Sequence, residues 1–290
     1  MGGTVVQIVT NVPVAGARVG AAFGAATTDG EGRFTLRPAS PSGSAARLTV
    51  EAPDYVPREL TVRLDGGGRR DLVIDLMGPP PFALPFYEEF ARDRLDNQGR
   101  LRALAPVVAP RYLVVTRHTG GGTVAASLVA RVRATAFLMA QEFGDGRASP
   151  SITEIDAAPA NAAGHIVITF TEDAASATCA EASIGAETGF VRFFLGVPAC
   201  TCADSADGLA PVIIRHELGH TLGAYHVSND VALMNAQPRC NATATSLERF
   251  HASVLFRRPR GNLSPDADPP DTLTRLTGPA TTACRLSALR

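Results

Sequence analysis

The sequence predicts two domains, an all-β sandwich followed by an α/β domain, and three observations lead there. A chain of 290 residues with 45% hydrophobic side chains can furnish two cores of ordinary size. Its first third carries short runs of Val, Ile, Leu, Phe and Thr in partial alternation, broken at regular intervals by Gly, Pro, Asp and Asn. Beyond a proline-rich stretch, longer helical periodicities alternate with strands. The expected boundaries are 1–78 for the sandwich, 79–110 for a linker and leading helix, and 111–290 for the α/β domain.

The strands of the first domain are TVVQIVT, ARVGAAF, RFTLRP, ARLTVEA, RELTVRL and DLVIDLM, with NVPVAG, TTDGEG, SPSGS, PDYVP and DGGGRR between them. Turn signals spaced so regularly point to an antiparallel sandwich. GPPPFALP, residues 78–85, ends it, because consecutive prolines cannot continue a hydrogen-bonded ladder. FYEEFARDRLDNQGRLRALAP reads as an amphipathic helix and RYLVVT as a strand. TVAASLVARVRATAFLMAQEFG reads as a long helix that stops at Gly144. SITEIDA, HIVITFTE, a stretch around AEASIGA, and FVRFFLGV follow as four strands, and LAPVIIRHELGHTLGA returns to helix.

Bulk properties exclude several partners. A net charge of -1 with well-mixed charges gives no electrostatic footprint for nucleic acid or anionic membrane. No apolar run is long enough to predict a membrane-spanning helix. The chain has no lysine, which reads as compositional drift alongside its abundant Ala, Gly and Pro. Cys179, Cys200, Cys202 and Cys240 lie within about sixty residues, a density that suits an oxidised compartment. Cys200 and Cys202 are too close to bridge each other comfortably, so their partners are sought in Cys179 and Cys240, with the connectivity left open. Free buried thiols or a second metal site are the alternatives, and Cys284 is left over as a free cysteine. The expected location is secreted or extracytoplasmic, with no signal peptide in the N-terminal MGGTVVQIVTNVPV.

Chemistry concentrates in HELGHTLGAYH, residues 216–226, which holds three of the chain's six histidines. On a helix, residues four apart share a face, so His216 and His220 can offer imidazole nitrogens to one ion, while Glu217 points beside it. Gly223 tolerates positive φ and lets the chain swing His226 back as a third ligand. Three neutral histidines leave one position of a tetrahedral zinc open for water, the catalytic arrangement. An isolated HExxH recurs by accident as a surface pattern, but the full spaced motif carries two further defined positions, Gly223 and His226. Met234 follows eight residues after His226.

On these residues the chain resembles the metzincin zinc peptidases, defined by HExxHxxGxxH and a later Met-turn. The short spacing to VALMNA is similar to the matrixin branch. The resemblance spans about 150 residues from Arg111 and implies a zincin fold with one catalytic Zn2+ held by His216, His220 and His226. It also implies Glu217 as general base, Met234 packed beneath the ion, and a free-edged strand within Ala180 to Glu187 that receives an extended peptide. TSLERFHASVLFRRPRG, residues 245–261, fits the helix after the Met-turn. Val227 stands where matrixins usually have serine, and neither Asn235 nor Ala236 is the tyrosine ligand of astacin-like enzymes. The PRC of QPRCNA lacks the rest of the matrixin cysteine switch, which leaves Cys240 to a disulfide. The first domain, through PVAGARV, TTDGEGRFTL and APDYVPRELTV, resembles the carboxypeptidase-regulatory-like modules and so implies a transthyretin-like (prealbumin-like) sandwich with an accessory role.

Weaker candidates remain beside the motif. His118, His165 and His251 are scattered singly and read as surface or packing residues. Asp266, Asp268 and Asp271 could hold calcium, but SPDADPPD lacks the glycine and distal glutamate of an EF-hand and reads as a solvated tail. The glycines at 120–122 lack the Lys-Ser pair of a phosphate loop. The expected function is a zinc-dependent endopeptidase acting on peptide or protein substrates. The alternatives are a secreted binding or adhesion protein with a structural or degenerate zinc site, and a zinc hydrolase of non-peptide amides or esters.

Overall fold

Along Ala45–Glu51 the side chains alternate between solvent and core, the period-two signature of a half-buried strand. The computed structural model describes residues 1–37, 45–63, 72–173, 176, 178–202, 205, 208–270 and 272. They form two compact units, Met1–Pro79 with the segment from Pro265 onward, and Pro80–Ser264.

The first unit contains β1 (Gly2–Gln7), β2 (Arg18–Ala21), β3 (Gly24–Thr27), β4 (Arg33–Thr35), β5 (Ala45–Glu51), β6 (Arg58–Arg63) and β7 (Leu72–Leu76). They build one sheet in the order β4-β1-β7 and another in the order β3-β2-β5-β6. Val5, Phe34, Leu72 and Ile74 from the first sheet share one core with Val19, Leu48, Val50 and Leu60 from the second. An antiparallel sandwich is expected throughout, but β1 and β7 pair in parallel. The reason lies in connectivity: β7 follows β6 of the other sheet, so no hairpin sets its direction. Strand β3 is also additional, since its Gly-Ala-Ala-Thr lacks β-branched and aromatic signal and is held by pairing with β2.

The acidic SPDADPPD stretch differs most from expectation. Asp266 and Asp268 are each only 1% exposed, so this is no solvated tail. The Glu59 N–H donates to the Asp266 carbonyl at 2.9 Å and the Asp268 N–H to the Glu59 carbonyl at 2.9 Å, which lays the segment along β6. Arg58, 2% exposed, pairs with Asp268 at 3.3 Å and with Asp75, while Arg47 donates to the Asp268 carbonyl at 2.8 Å. A guanidinium therefore meets the Asp268 carboxylate, the charge partner that a calcium ion was considered for. Asp271 and Cys284 lie outside the described residues. The second unit accordingly ends at Ser264, short of the expected 290.

The second unit contains α1 (Leu84–Arg92), β8 (Arg111–Val115), α2 (Ala126–Glu142), β9 (Ser151–Ile155), β10 (Ile166–Glu172), β11 (Ala180–Ala182), β12 (Gly189–Leu195), α3 (Pro211–Thr221) and α4 (Ser246–Phe256). Its sheet runs β11-β12-β10-β8-β9, with four parallel strands and β11 antiparallel at the edge. Helix α2 packs on α3, and α3 on β11 and β12. Among the described residues no helix is long and apolar enough to cross a membrane.

Helix α1 is shorter than its amphipathic pattern predicts. Asp93 adopts φ 62° as a left-handed C-cap, and Gln98 and Gly99 follow at φ 53° and 80°. The turn chemistry of Asp-Asn-Gln-Gly outweighs helical periodicity here. Helix α4 starts with a capping box between Thr245 and Glu248. His251 of α4 is fully buried among Phe82, Phe86 and Tyr87, accepts from the Ala83 N–H at 3.0 Å, and donates to the Leu247 carbonyl at 2.8 Å.

Two predictions follow from these buried groups. Asp268→Ala strips Arg58 of one carboxylate and should destabilise the first unit by about 3 kcal/mol, read as faster hydrogen exchange in β6 and a lower urea midpoint. Burial pushes His251 down from 6.5 to about 4, so between those values the unfolded chain binds the extra proton. Stability should fall as pH drops through that window by about 3 kcal/mol. A His251→Gln variant, compared with wild type in denaturation midpoints from pH 8 to 4, should lack this part of the loss.

Candidate metal centre

Pro211 opens α3 at a position where its missing N–H costs nothing, and its fixed φ suits a first helical turn. Five and nine residues on, His216 and His220 fall on one helix face. The helix ends at Thr221, and Gly223 at φ 107° reverses the chain. A Cβ at Gly223 would lie 2.7 Å from the Ala105 carbonyl oxygen, so both conformation and space require glycine. The reversal brings His226 back onto α3. The three Nε2 atoms then stand 3.0 Å (His216–His220), 3.2 Å (His216–His226) and 3.2 Å (His220–His226) apart.

The opposite ring nitrogens decide what those atoms are. Nδ1 of His216 lies 2.8 Å from the Leu233 carbonyl oxygen, Nδ1 of His220 lies 2.7 Å from that of Ala224, and Nδ1 of His226 lies 2.7 Å from Asp96 Oδ2. These oxygens only accept, so each Nδ1 is the donor of its ring, and in a ring with a single proton Nε2 presents its lone pair. Burial pushes His216 down to about 4 and His220 well below its ordinary range, with the neighbouring imidazoles adding to both. At neutral pH these two rings are uncharged. The lone pairs of these two rings and the Nε2 of His226 thus converge on one point. Tetrahedral ligands about 2.0–2.1 Å from a zinc ion stand roughly 3.4 Å apart, close to what is seen. Among the described residues this is the one group of three or more His, Cys, Asp or Glu donors that could hold a metal ion.

The turn holding Met234 lies against the same helix. A Cβ at Gly219 would meet the Met234 Sδ at 2.6 Å, so the small residue of HELGH makes room for the methionine. Val227 N–H donates to the Met234 carbonyl at 3.0 Å. Fully buried Glu248 of α4 accepts from the Leu233 N–H at 3.2 Å and the Met234 N–H at 2.8 Å. The residue whose carbonyl orients His216 is therefore itself tied to α4. Glu217 is 7% exposed, and burial, with the charge of Glu181 on β11 second, pushes it up to about 8.

The four expected disulfide cysteines form two bridges, Cys179–Cys200 and Cys202–Cys240. The first joins the approach to β11 to the 3-10 turn Pro198–Cys200. The second ties the segment before α3 to the loop after Met234. His118 and His165 lie elsewhere: His118 faces Glu172 at 3.5 Å and His165 meets Arg111 at 2.8 Å. Asp96, Glu89 and Glu248 touch the centre or its loops and were not singled out from sequence. Glu248 did carry a readable signal, since Thr-x-x-Glu is a capping-box pattern. Asp96 carried none, because it lies in a stretch that reads as helix.

Compared with known proteins, the chain is matched by no family model and by no curated protein. The geometry alone carries the following expectation. Gly223→Ala should force residue 223 out of its left-handed conformation and dislodge His226, lowering zinc affinity at least about tenfold while α3 stays folded. Chelator competition paired with circular dichroism checks this.

Proposed function

We propose that the second unit is a zinc-dependent endopeptidase of metzincin type, with the matrixin branch as its nearest pattern. One observation carries the reading: three imidazole Nε2 atoms converge within 3.0–3.2 Å of one another on a helix that also buries Glu217, with Gly223 at the chain reversal and Met234 against Gly219. His216, His220 and His226 would hold the ion, which supplies Lewis acidity toward a water and a carbonyl oxygen.

The chain's own residues do the rest. Glu217 sits one residue beyond a ligand, where it can take a proton from the attacking water as the new C–O bond forms. It then delivers that proton to the amine as the C–N bond breaks. Its carboxylate is held in a low-dielectric setting, and beside a dication the charged form of such a group is favoured. Strand β11 at the sheet edge packs against α3, which supports the addition of an extended peptide alongside it by main-chain hydrogen bonds. The two disulfides suit a protein working in an oxidising, extracytoplasmic setting. The first unit, which contributes none of the three histidines, would position or recognise a large partner.

Metal analysis with cleavage of a diverse peptide library tests the reading. Wild type should hold one zinc per chain and cut peptides internally. Glu217→Gln should keep its zinc and lose about 10^3-fold in turnover. A variant that still works at more than a few per cent of the wild-type rate removes Glu217 from the role of base.

A further inference from the structure

The third ligand differs from the other two in where its support comes from. His216 and His220 are oriented by carbonyls of the motif and its own turn, whereas His226 is held by a segment more than a hundred residues earlier in the chain. Three successive contacts reach the loop 225–228 from α1 and the turn after it. The Tyr225 N–H donates to the Phe90 carbonyl at 2.7 Å. The His226 Nδ1–H donates to Asp96 Oδ2 at 2.7 Å. The Ser228 N–H donates to Glu89 at 2.9 Å, and its Oγ–H lies 2.9 and 3.1 Å from the two Glu89 oxygens.

We infer that Asp96 and Glu89 are positioning residues for the metal centre, and that the segment from Leu84 to Gly99 is a built-in clamp completing the third ligand. This rests on the reading of the triad as a metal centre. Physically, Gly223 gives the chain freedom to turn, and freedom alone does not fix where His226 ends. A backbone bond at 225, a side-chain bond at 226 and a two-point bond at 228 fix it. Asp96 does more than hold the ring, because a carboxylate on Nδ1 settles the tautomer and directs the lone pair of Nε2 inward. Half of the Asp96 side chain is exposed, and His226 is the most exposed of the three rings, so this is the corner at which the centre opens to solvent.

The test uses the full chain and zinc binding as the readout. Asp96→Asn keeps an acceptor but loses the charge, and it should weaken zinc binding 10- to 100-fold in chelator competition. Melting of the zinc-free protein should be unchanged, since a half-exposed carboxylate carries little of the fold. Asp96→Glu should recover part of the affinity. Glu89→Gln should weaken binding less and alter the visible spectrum of the cobalt(II)-loaded protein, because the loop that carries His226 loosens. Glu154→Gln, a charge-matched change on β9, should bind zinc as wild type does. Wild-type zinc affinity in both Asp96→Asn and Glu89→Gln would overturn the clamp and leave the metal centre standing. A wild-type chain that binds no zinc would overturn the metal centre itself.

Discussion

Three imidazole Nε2 atoms facing one another at 3.0–3.2 Å are the constraint around which the second unit is arranged. His216 and His220 are uncharged acceptors facing each other, so the fold must hold them against repulsion, and a cation would turn the same geometry into net attraction. Metal binding would then be linked to folding, with part of the binding free energy returning as stability of the loop from Gly223 to Met234. Burial of His216 and His220 serves the same end by keeping both rings neutral.

Around that point the supports come from separate parts of the chain. Helix α3 sets two of the histidines by periodicity, and Gly223 returns the third. The Leu233 carbonyl aims His216, and Glu248 fixes Leu233 and Met234 while also capping α4. One side chain thereby satisfies a helix terminus and the floor of the centre together. Its replacement would leave several buried N–H groups without an acceptor, the costliest kind of local defect. The Cys202–Cys240 bridge encloses the same stretch of sequence, from the approach to α3 through the loop after Met234.

What the sequence disclosed depended on whether the signal was local. The clustering of His216, His220 and His226 and the turn at Gly223 are legible because spacing along one short stretch determines geometry. Strands with β-branched alternation, such as RELTVRL and HIVITFTE, are legible for the same reason. Features set by distant partners were hidden. The parallel pairing of β1 with β7 depends on a crossing between sheets, and β3 on a neighbour that compensates for its weak propensity. Asp96 looks like one more polar residue of an amphipathic helix until the chain turns at Asp93. Asp268 looks solvated until Arg58 is found buried beside it. The cysteine pairing needed the fold too, since composition identified the four partners and left their connections open.

The segment after Ser264 carries a further meaning. Because Pro265 onward joins the unit begun by Met1, the second unit is an insertion within the first, and the backbone passes between them twice. Arg58 and β6 act on the returning segment as a non-covalent clasp. A single cut at the proline stretch would leave the second unit tethered through the clasped segment after Pro265, and a single cut just after Ser264 would leave it attached at Pro79–Pro80. Release of the inserted unit needs either two cuts or a cut at the proline stretch with the clasp opened. Forming the clasp closes a chain loop that spans the whole second unit, so its strength should bear on how independently the two units come apart.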